Sequence, residues 1–436
     1  MKVILVNTDF MHDTERPIQP LTMYTIAGII TPYVEEVEVI EPMKYRLFPE
    51  NGKLVDVLIA KSKKASLIAF TANSFSWAEI LKITLAIREN NKQVKIVVGG
   101  IHVSYFYREI LKENPQISFA FTGEAEKSFP QLIKYLNGEI PIENVPNLHY
   151  MRNGRLVSNK KAKLVDFQNE DIPFPRYDLV EEDFFDRFTF EASRGCEGNC
   201  RFCSVLYKRC WRRFSQEIVL ERLEMFKQHL DLKCKKKDFI FTDDCFTTDS
   251  KWANDVLKGM LNRGFKEYKF LIEARAKNLW DENLLETITD FQDLHIQIGI
   301  ESGYDLGLEK INKEVRIADI VKTAKLLEKY NIARNVFTSF IIGFPWETKE
   351  ECMKTIRFAA YLNDEFGMSV NVAWWMPLPS NLFAKYFKDK SIFVDDDFST
   401  KKEIFYKAHP NITYNDTLCI DICDSLYKNM GICWRL

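Results

Sequence analysis

The sequence predicts an α/β protein: a doubly wound, Rossmann-like parallel sheet, then a partial six-fold βα barrel of TIM type, then a small C-terminal cap. Three observations predict it. Residues 1–145 alternate short apolar runs with segments of helical spacing. A second alternating series occupies residues 186–384. A Pro-punctuated stretch, residues 146–185, separates the two.

In the first series the apolar runs at 3–6, 37–40, 65–71, 94–98 and 119–122 read as strands. Helical spacing marks 21–31, 77–90 and 125–136. Short buried strands separated by helices imply parallel pairing. Ligands then lie beyond the carboxyl ends of the strands. In the linker, residues 148–152 and 155–157 flank Asn153-Gly154 and predict a hairpin. Residues 171–177 read as extended. The second series places strands at 187–192, 238–242, 269–273, 295–300, 337–342 and 370–374, with helices filling the gaps, for example at 215–229, 251–263 and 317–330. In a βα barrel the chemistry sits where those strands end. Residues 385–436 are too few for a full domain and read as a cap.

With 436 residues the chain has room for two or three domains with proper cores. Its 60 basic and 62 acidic residues leave a net charge of -2, which excludes a general electrostatic grip on nucleic acid. The basic run Lys233, Lys235, Lys236 and Lys237 around Cys234 reads as a solvated helix end. No apolar run reaches the ~18–20 residues of a membrane span. The N-terminus reads as a buried strand and not as a signal peptide. The expected location is therefore cytoplasmic, where ten cysteines speak for metal or redox chemistry over a disulfide framework.

The strongest signal is SRGCEGNCRFC, residues 193–203, directly after a strand. It spaces Cys196, Cys200 and Cys203 as C-x3-C-x2-C, so that one loop can wrap one iron–sulfur cluster. A structural zinc usually takes four protein ligands, and a zinc loop stays open as the bland alternative. Cys210 is the one nearby candidate for a fourth ligand, and reads better as packing or surface. Three thiolates on a four-iron cluster leave one iron open to a chelating small molecule.

This loop resembles the signature of the radical S-adenosylmethionine (SAM) superfamily, including the aromatic residue before the third cysteine, here Phe202. The resemblance implies a [4Fe-4S] cluster and SAM on its open iron. One electron, from a donor such as flavodoxin or ferredoxin, then gives a 5′-deoxyadenosyl radical that takes hydrogen from a small-molecule or peptide substrate. Other strand ends match the family in order. In FTDDCFT (241–247) the resemblance puts Asp243 or Asp244 near the SAM amino group. In EAR (273–275) it puts Arg275 on the methionyl carboxylate. In GIESG (299–303), Glu301 and Ser302 are implied ribose or carboxylate contacts. In IGFPWET (342–348), Gly343 lets adenine approach. Singly, these residues read as well as a helix N-cap, a surface ion pair or turn chemistry.

The order of a doubly wound domain, a PFPRYD linker and a barrel resembles the cobalamin-domain class of that superfamily. VGGIHVS (98–104) and TGEAE (122–126) are the matching pieces. Gly99 and Gly100 admit a large ligand, and Asn73 and Ser74 are implied to face the corrin. There is a departure. Many cobalamin domains carry Asp-x-His-x-x-Gly, but residues 9–12 read DFMH, so His12 is expected to be a loop residue. His102 is expected to be structural or to touch the nucleotide tail. With cobalamin, the resemblance implies methylation of an unactivated carbon, a second SAM recharging the cobalt. Without it, epimerisation, dehydration or ring closure are open. From another class, a non-catalytic iron–sulfur or corrinoid binding protein is open too. Trp374, Trp375 and Met376 read as core or lid packing. Cys419, Cys423 and Cys433 have a spacing that admits a second cluster, within a segment whose Leu418, Ile420 and Ile422 read as buried.

Overall fold

The computed structural model describes residues 1–7, 18–181, 184–234, 236–376, 378–381 and 411. His12 and, apart from residue 411, the cap at 385–436 with its three cysteines lie outside the described residues. The chain divides into two compact units, the first ending at Phe188 with the end of one later helix added, the second starting at Thr189.

The first unit is an α/β sheet. Its strands are β1 (Lys2–Val6), β2 (Glu36–Ile40), β3 (Leu67–Thr71), β4 (Lys95–Gly99), β5 (Phe119–Phe121), β6 (Leu148–Arg152) and β7 (Arg155–Ser158), in the order β2-β1-β3-β4-β5-β6-β7. The first five pair in parallel. Nearly every residue of β1, β3 and β4 is buried, as strands covered on both faces must be. The order 2-1-3-4-5 is a doubly wound one, with its switch point between β1 and β3. The hairpin β6–β7 adds two antiparallel strands. Asn153 (φ 52°) and Gly154 (φ 72°) make its turn, both in the left-handed region a tight hairpin requires.

Between these strands run α1 (Thr22–Ile30), α2 (Pro42–Leu47), α3 (Leu54–Ser62), α4 (Trp77–Asn90), α5 (Ile101–Glu113) and α6 (Phe129–Leu136). The sequence reading lacked α2, α3 and α5, and began α6 four residues early. One face of the sheet packs on α1 and α6 through Val3, Leu5, Leu67, Val97, Met23, Ala27, Leu132 and Ile133.

The second unit carries β8 (Phe188–Phe190), a two-stranded ribbon of β9 (Ser193–Arg194) and β10 (Arg212–Arg213), and then β11 (Asp238–Phe241), β12 (Lys269–Ala274), β13 (Asp293–Glu301), β14 (Val336–Ile342) and β15 (Ser369–Trp374). The six-stranded sheet runs β15-β14-β13-β12-β11-β8, and β11 through β15 pair in parallel in chain order. Helices α7 (Gln216–Lys233), α8 (Ser250–Asn262), α9 (Glu282–Thr289), α10 (Asp305–Lys310), α11 (Ile317–Lys329) and α12 (Lys349–Phe366) separate the strands. This is the βα succession of an open barrel. Burial alternates along β12, β13 and β14, so Phe270, Ile272, Ile296, Ile298, Thr338 and Phe340 are buried while Glu273, Gln297 and Ser339 sit on the less buried face. Among the described residues no helix is long and apolar enough to cross a membrane.

Candidate functional site

The site is built where β8, β11, β12, β13 and β14 end. The chain leaves β8 and pairs Arg194 with Arg212 and Ser193 with Arg213. That short ribbon closes the base of the loop that carries the three cysteines. Cys196 adds a bridge to Lys208. Gly195 sits at φ +87°, where a Cβ would overlap the Cys210 carbonyl oxygen and stand 2.9 Å from that of Tyr207. Only glycine fits this turn.

Two of the thiols accept backbone N–H groups, Cys196 Sγ from Gly198 at 3.3 Å and Cys203 Sγ from Val205 at 3.4 Å. Lys208 Nζ donates to the Cys200 carbonyl at 2.8 Å. Burial pushes the Cys196 and Cys203 thiols up, against the pull of those N–H groups and of Arg275 and Lys208. Among the described residues no three His, Cys, Asp or Glu side chains converge as the ligands of one ion. A single tetrahedral zinc needs such convergence. A four-iron cluster takes each thiolate on a different iron, so its donors stand apart. Soft donors on one loop, oriented by N–H groups and backed by a cation, fit iron and sulfide.

Two aspartates follow β11. Asp243 is buried and accepts the Ala192 N–H at 2.9 Å and the Ser193 hydroxyl at 2.5 Å. Burial raises its carboxyl to about 8. Asp244 Oδ2 accepts the Gly195 N–H at 2.9 Å. Both thus brace the start of the cysteine loop. Neither caps a helix, since Asp249 caps α8 through Trp252 N.

At the end of β12, Arg275 lies against the thiols, with Nη1 4.0 Å from Cys200 Sγ. Glu273 is pushed up to about 8 by burial and by Glu301. β13 ends in a bulge that puts Glu301 at φ 74°, its carboxylate 3.3 Å from Lys313 Nζ. Both are buried. Burial alone would lower Lys313, but Glu301 and Cys200 outweigh it and hold its ammonium above the usual range. The Ser302 hydroxyl is buried with no hydrogen-bond partner among the described residues. It packs against Gly307 of α10, whose missing side chain leaves it room. Gly343, at φ +76° after β14, faces Trp374, whose ring carbon Cζ3 a Cβ would meet at 2.6 Å. The close approach it permits in this structure is therefore by an indole of the fold. Phe202 lies with its ring 6.0 Å from that of Phe344. Trp374 and Trp375 are buried, as packing residues are.

Sequence reasoning missed Lys313 and Glu347. Lys313 has no motif around it, and its partner is twelve residues away across a bulge. Glu347 lies inside a segment that was read for its glycine. Its two oxygens accept the Tyr304 hydroxyl at 3.0 Å and the Phe344 N–H at 3.0 Å, and Cys352 Sγ lies 3.7 Å away. Burial raises its carboxyl to about 7. The fold therefore keeps its proton after the unfolded chain has lost it, so the resulting stability is full below about pH 4.5 and is lost as pH rises through 7. Glu347→Gln keeps the shape and removes the titration. The expected result is a smaller fall of the thermal midpoint between pH 5 and 8 than in the wild type, measured on both proteins across that range.

In the first unit, Asn73 Oδ1 accepts the N–H groups of Phe75 and Ser76, both at 2.9 Å, and so turns the chain into α4. Ser74 Oγ lies 3.0 Å from Nδ1 of His102. His102 is 1% exposed and packs between Trp77 and Phe106. It is a core residue. Gly100 stands at φ +93°, with a Cβ position 2.6 Å from the Ala72 carbonyl oxygen. Gly99 has only Phe121 Cβ near the place of its missing side chain, at 3.9 Å. Gly100 is thus required by the close approach of the Ala72 backbone, and Gly99 leaves the end of β4 without a side chain. That bare strand end fits a broad, flat group.

A doubly wound domain followed by an open βα barrel, with three thiols in the loop after its first strand, is the build of a radical SAM enzyme of the cobalamin-domain class. The chain carries both domains of that class: residues 190–359 match the family model of the Radical SAM superfamily, and residues 35–133 match that of the B12 binding domain. Its cofactors are accordingly a [4Fe-4S] cluster, SAM and cobalamin. An uncharacterised methyltransferase of Pyrococcus horikoshii is 29% identical over 316 residues, 71% of this chain and 67% of that one. Cytidylyl-2-hydroxyethylphosphonate methyltransferase of Streptomyces wedmorensis is 24% identical, over 79% of this chain and 73% of that one. The anaerobic magnesium-protoporphyrin IX monomethyl ester cyclase of Cereibacter sphaeroides is 26% identical, over 67% of this chain and 48% of that one. Among solved structures, the cobalamin-dependent SAM radical enzyme OxsB, with aqua-cobalamin and SAM bound, superposes with a TM-score of 0.69 at 21% identity. That match covers 82% of this chain and 51% of OxsB, so the chain spans about half the length of both the cyclase and OxsB.

Proposed function

We propose that this protein methylates an unactivated carbon of a small-molecule or peptide substrate in the cytoplasm, drawing its electron from a flavodoxin or ferredoxin. One observation carries the reading: a single chain holds both the three-thiol barrel loop and a B12-binding domain. When bound, these groups supply an electron that splits SAM and a methyl group for the substrate. The chain's own residues hold and orient. Cys196, Cys200 and Cys203 hold the cluster. Asp243, through Ala192 and Ser193, fixes the start of their loop. Asp244 and Glu301 would hold polar groups of SAM, with Phe202 bordering its place. Asn73, Ser74, Gly99 and Gly100 form the corrin edge. The two methyltransferases are matched over two thirds or more of their length, the cyclase over about half. This favours methyl transfer over ring closure.

The test is anaerobic reconstitution with iron, sulfide and hydroxocobalamin, followed by incubation with methyl-labelled SAM and reductant. One corrinoid per chain, with S-adenosylhomocysteine forming beside 5′-deoxyadenosine, is the expected result. A protein that retains no corrinoid and forms only 5′-deoxyadenosine would favour a non-methylating reaction.

A further inference from the structure

We propose that Arg275 sets how readily the cluster accepts its electron, by holding a fixed positive charge inside the thiolate loop. The proposal rests on Cys196, Cys200 and Cys203 being the cluster ligands. The Arg275 side chain is 12% exposed. Its Nη1 lies 4.0 Å from Cys200 Sγ. A Cβ on Gly198 would overlap that nitrogen, standing 3.1 Å from the guanidinium carbon and 3.4 Å from Cys196 Sγ. The guanidinium therefore lies against the C-x3-C turn, with a thiol to either side. It is anchored there, because Nη2 donates to the Lys313 carbonyl at 2.7 Å.

Two carboxylates balance it from the solvent side. Glu197 Oε1 is 3.6 Å from Nε and Glu314 Oε2 is 3.6 Å from Nη2. Their side chains are 39% and 33% exposed, so water screens them more than it screens the guanidinium. Asn278 pins Glu197 from 3.1 Å, and Arg209 draws on Glu314. The less exposed guanidinium is thus the less screened charge beside the sulfurs. Taking up one electron from a low-potential carrier adds a negative charge to the cluster, and a buried cation beside its ligands favours that reduced state. Arginine suits the role because its charge is permanent and its fork bonds a carbonyl with one arm while the other faces sulfur.

The experiment is a redox titration of the reconstituted protein, followed by electron paramagnetic resonance, with iron and sulfide counted on each sample. Arg275→Gln is expected to lower the reduced-to-oxidised ratio at a fixed potential about tenfold, or about 59 mV for a one-electron couple. Arg275→Lys is expected to stay near the wild type. Glu197→Gln is expected to move the midpoint the other way. A loosened loop would lower iron content in any of these variants, but would not give opposite shifts. An unchanged midpoint in a fully loaded Arg275→Gln protein overturns the proposal, as do shifts of the same sign in Arg275→Gln and Glu197→Gln. If Arg275→Gln fails to load, an unmoved Glu197→Gln midpoint overturns it. A wild type that takes up no iron and sulfide fails the ligand assignment itself, which metal analysis shows before any titration.

Discussion

Cys200→Ala should leave a folded protein that binds almost no iron and forms no 5′-deoxyadenosine from SAM. The side chain is small and lies among backbone, the Arg275 guanidinium and its sister thiols, so its loss opens little space. Losing one sulfur and no carbon costs the fold on the order of 1 kcal/mol. The chemical cost is far larger. Two thiolates cannot hold a cluster that needs three protein ligands and one open iron. Circular dichroism should match the wild type, while iron falls from about four per chain towards zero. If SAM cleavage survives with wild-type iron content, Cys200 is not a ligand and the site lies elsewhere.

Gly195→Ala should reach the same end by another route. The backbone there is left-handed, which costs an L-residue about 1–2 kcal/mol. The new methyl would also overlap the Cys210 carbonyl oxygen, and Tyr207 blocks retreat at 2.9 Å. Backbone atoms on both sides cannot swing aside as a side chain does. The loop must reopen, and the β9–β10 pairing with it. We expect poor cluster loading and new protease cleavage between residues 195 and 212, with the rest of the barrel intact. Gly154→Ala is the control. It shares the backbone angle, at φ +72°, but has no atom within 4 Å of the added carbon. It should cost only the conformational part and load normally.

The parts of the fold that show in the sequence are those whose burial repeats locally. The helix Trp77–Asn90 keeps its bounds because six buried residues recur at helical spacing. Strands β11 to β15 shift by at most two residues at either end, since buried apolar residues recur along each. The predicted strand 187–192 shortens to Phe188–Phe190, because Ala192 turns its N–H to Asp243, fifty-one residues away. Helix α12 fills the gap expected between β14 and β15, and its start is legible. Thr348 and Glu351 form a reciprocal capping box. Helix α5 hid behind Gly99-Gly100, which read as a ligand contact.

Of the site, the three cysteines were legible because their spacing is local. Arg275 and Asp243 showed as strand-end site residues, but not as supports of that loop, and Lys313 did not show at all. Arg275, Lys313 and Asp243 meet the loop only through sheet order, a bulge and a two-residue ribbon, none of which has a periodic signature. The same limit hid the exchange of roles at Gly343, where the ring that approaches comes from the next strand.

Many metal-binding segments stay unstructured until their ion arrives, and assembly and loading are then one event. Here the pairing of Arg194 with Arg212 ties the base of the loop through the backbone. The hoop is tied at its neck by hydrogen bonds that need no iron. A ready-made cofactor can therefore be delivered to a receptacle already in shape, and stripping by a chelator should leave an empty cradle that refills.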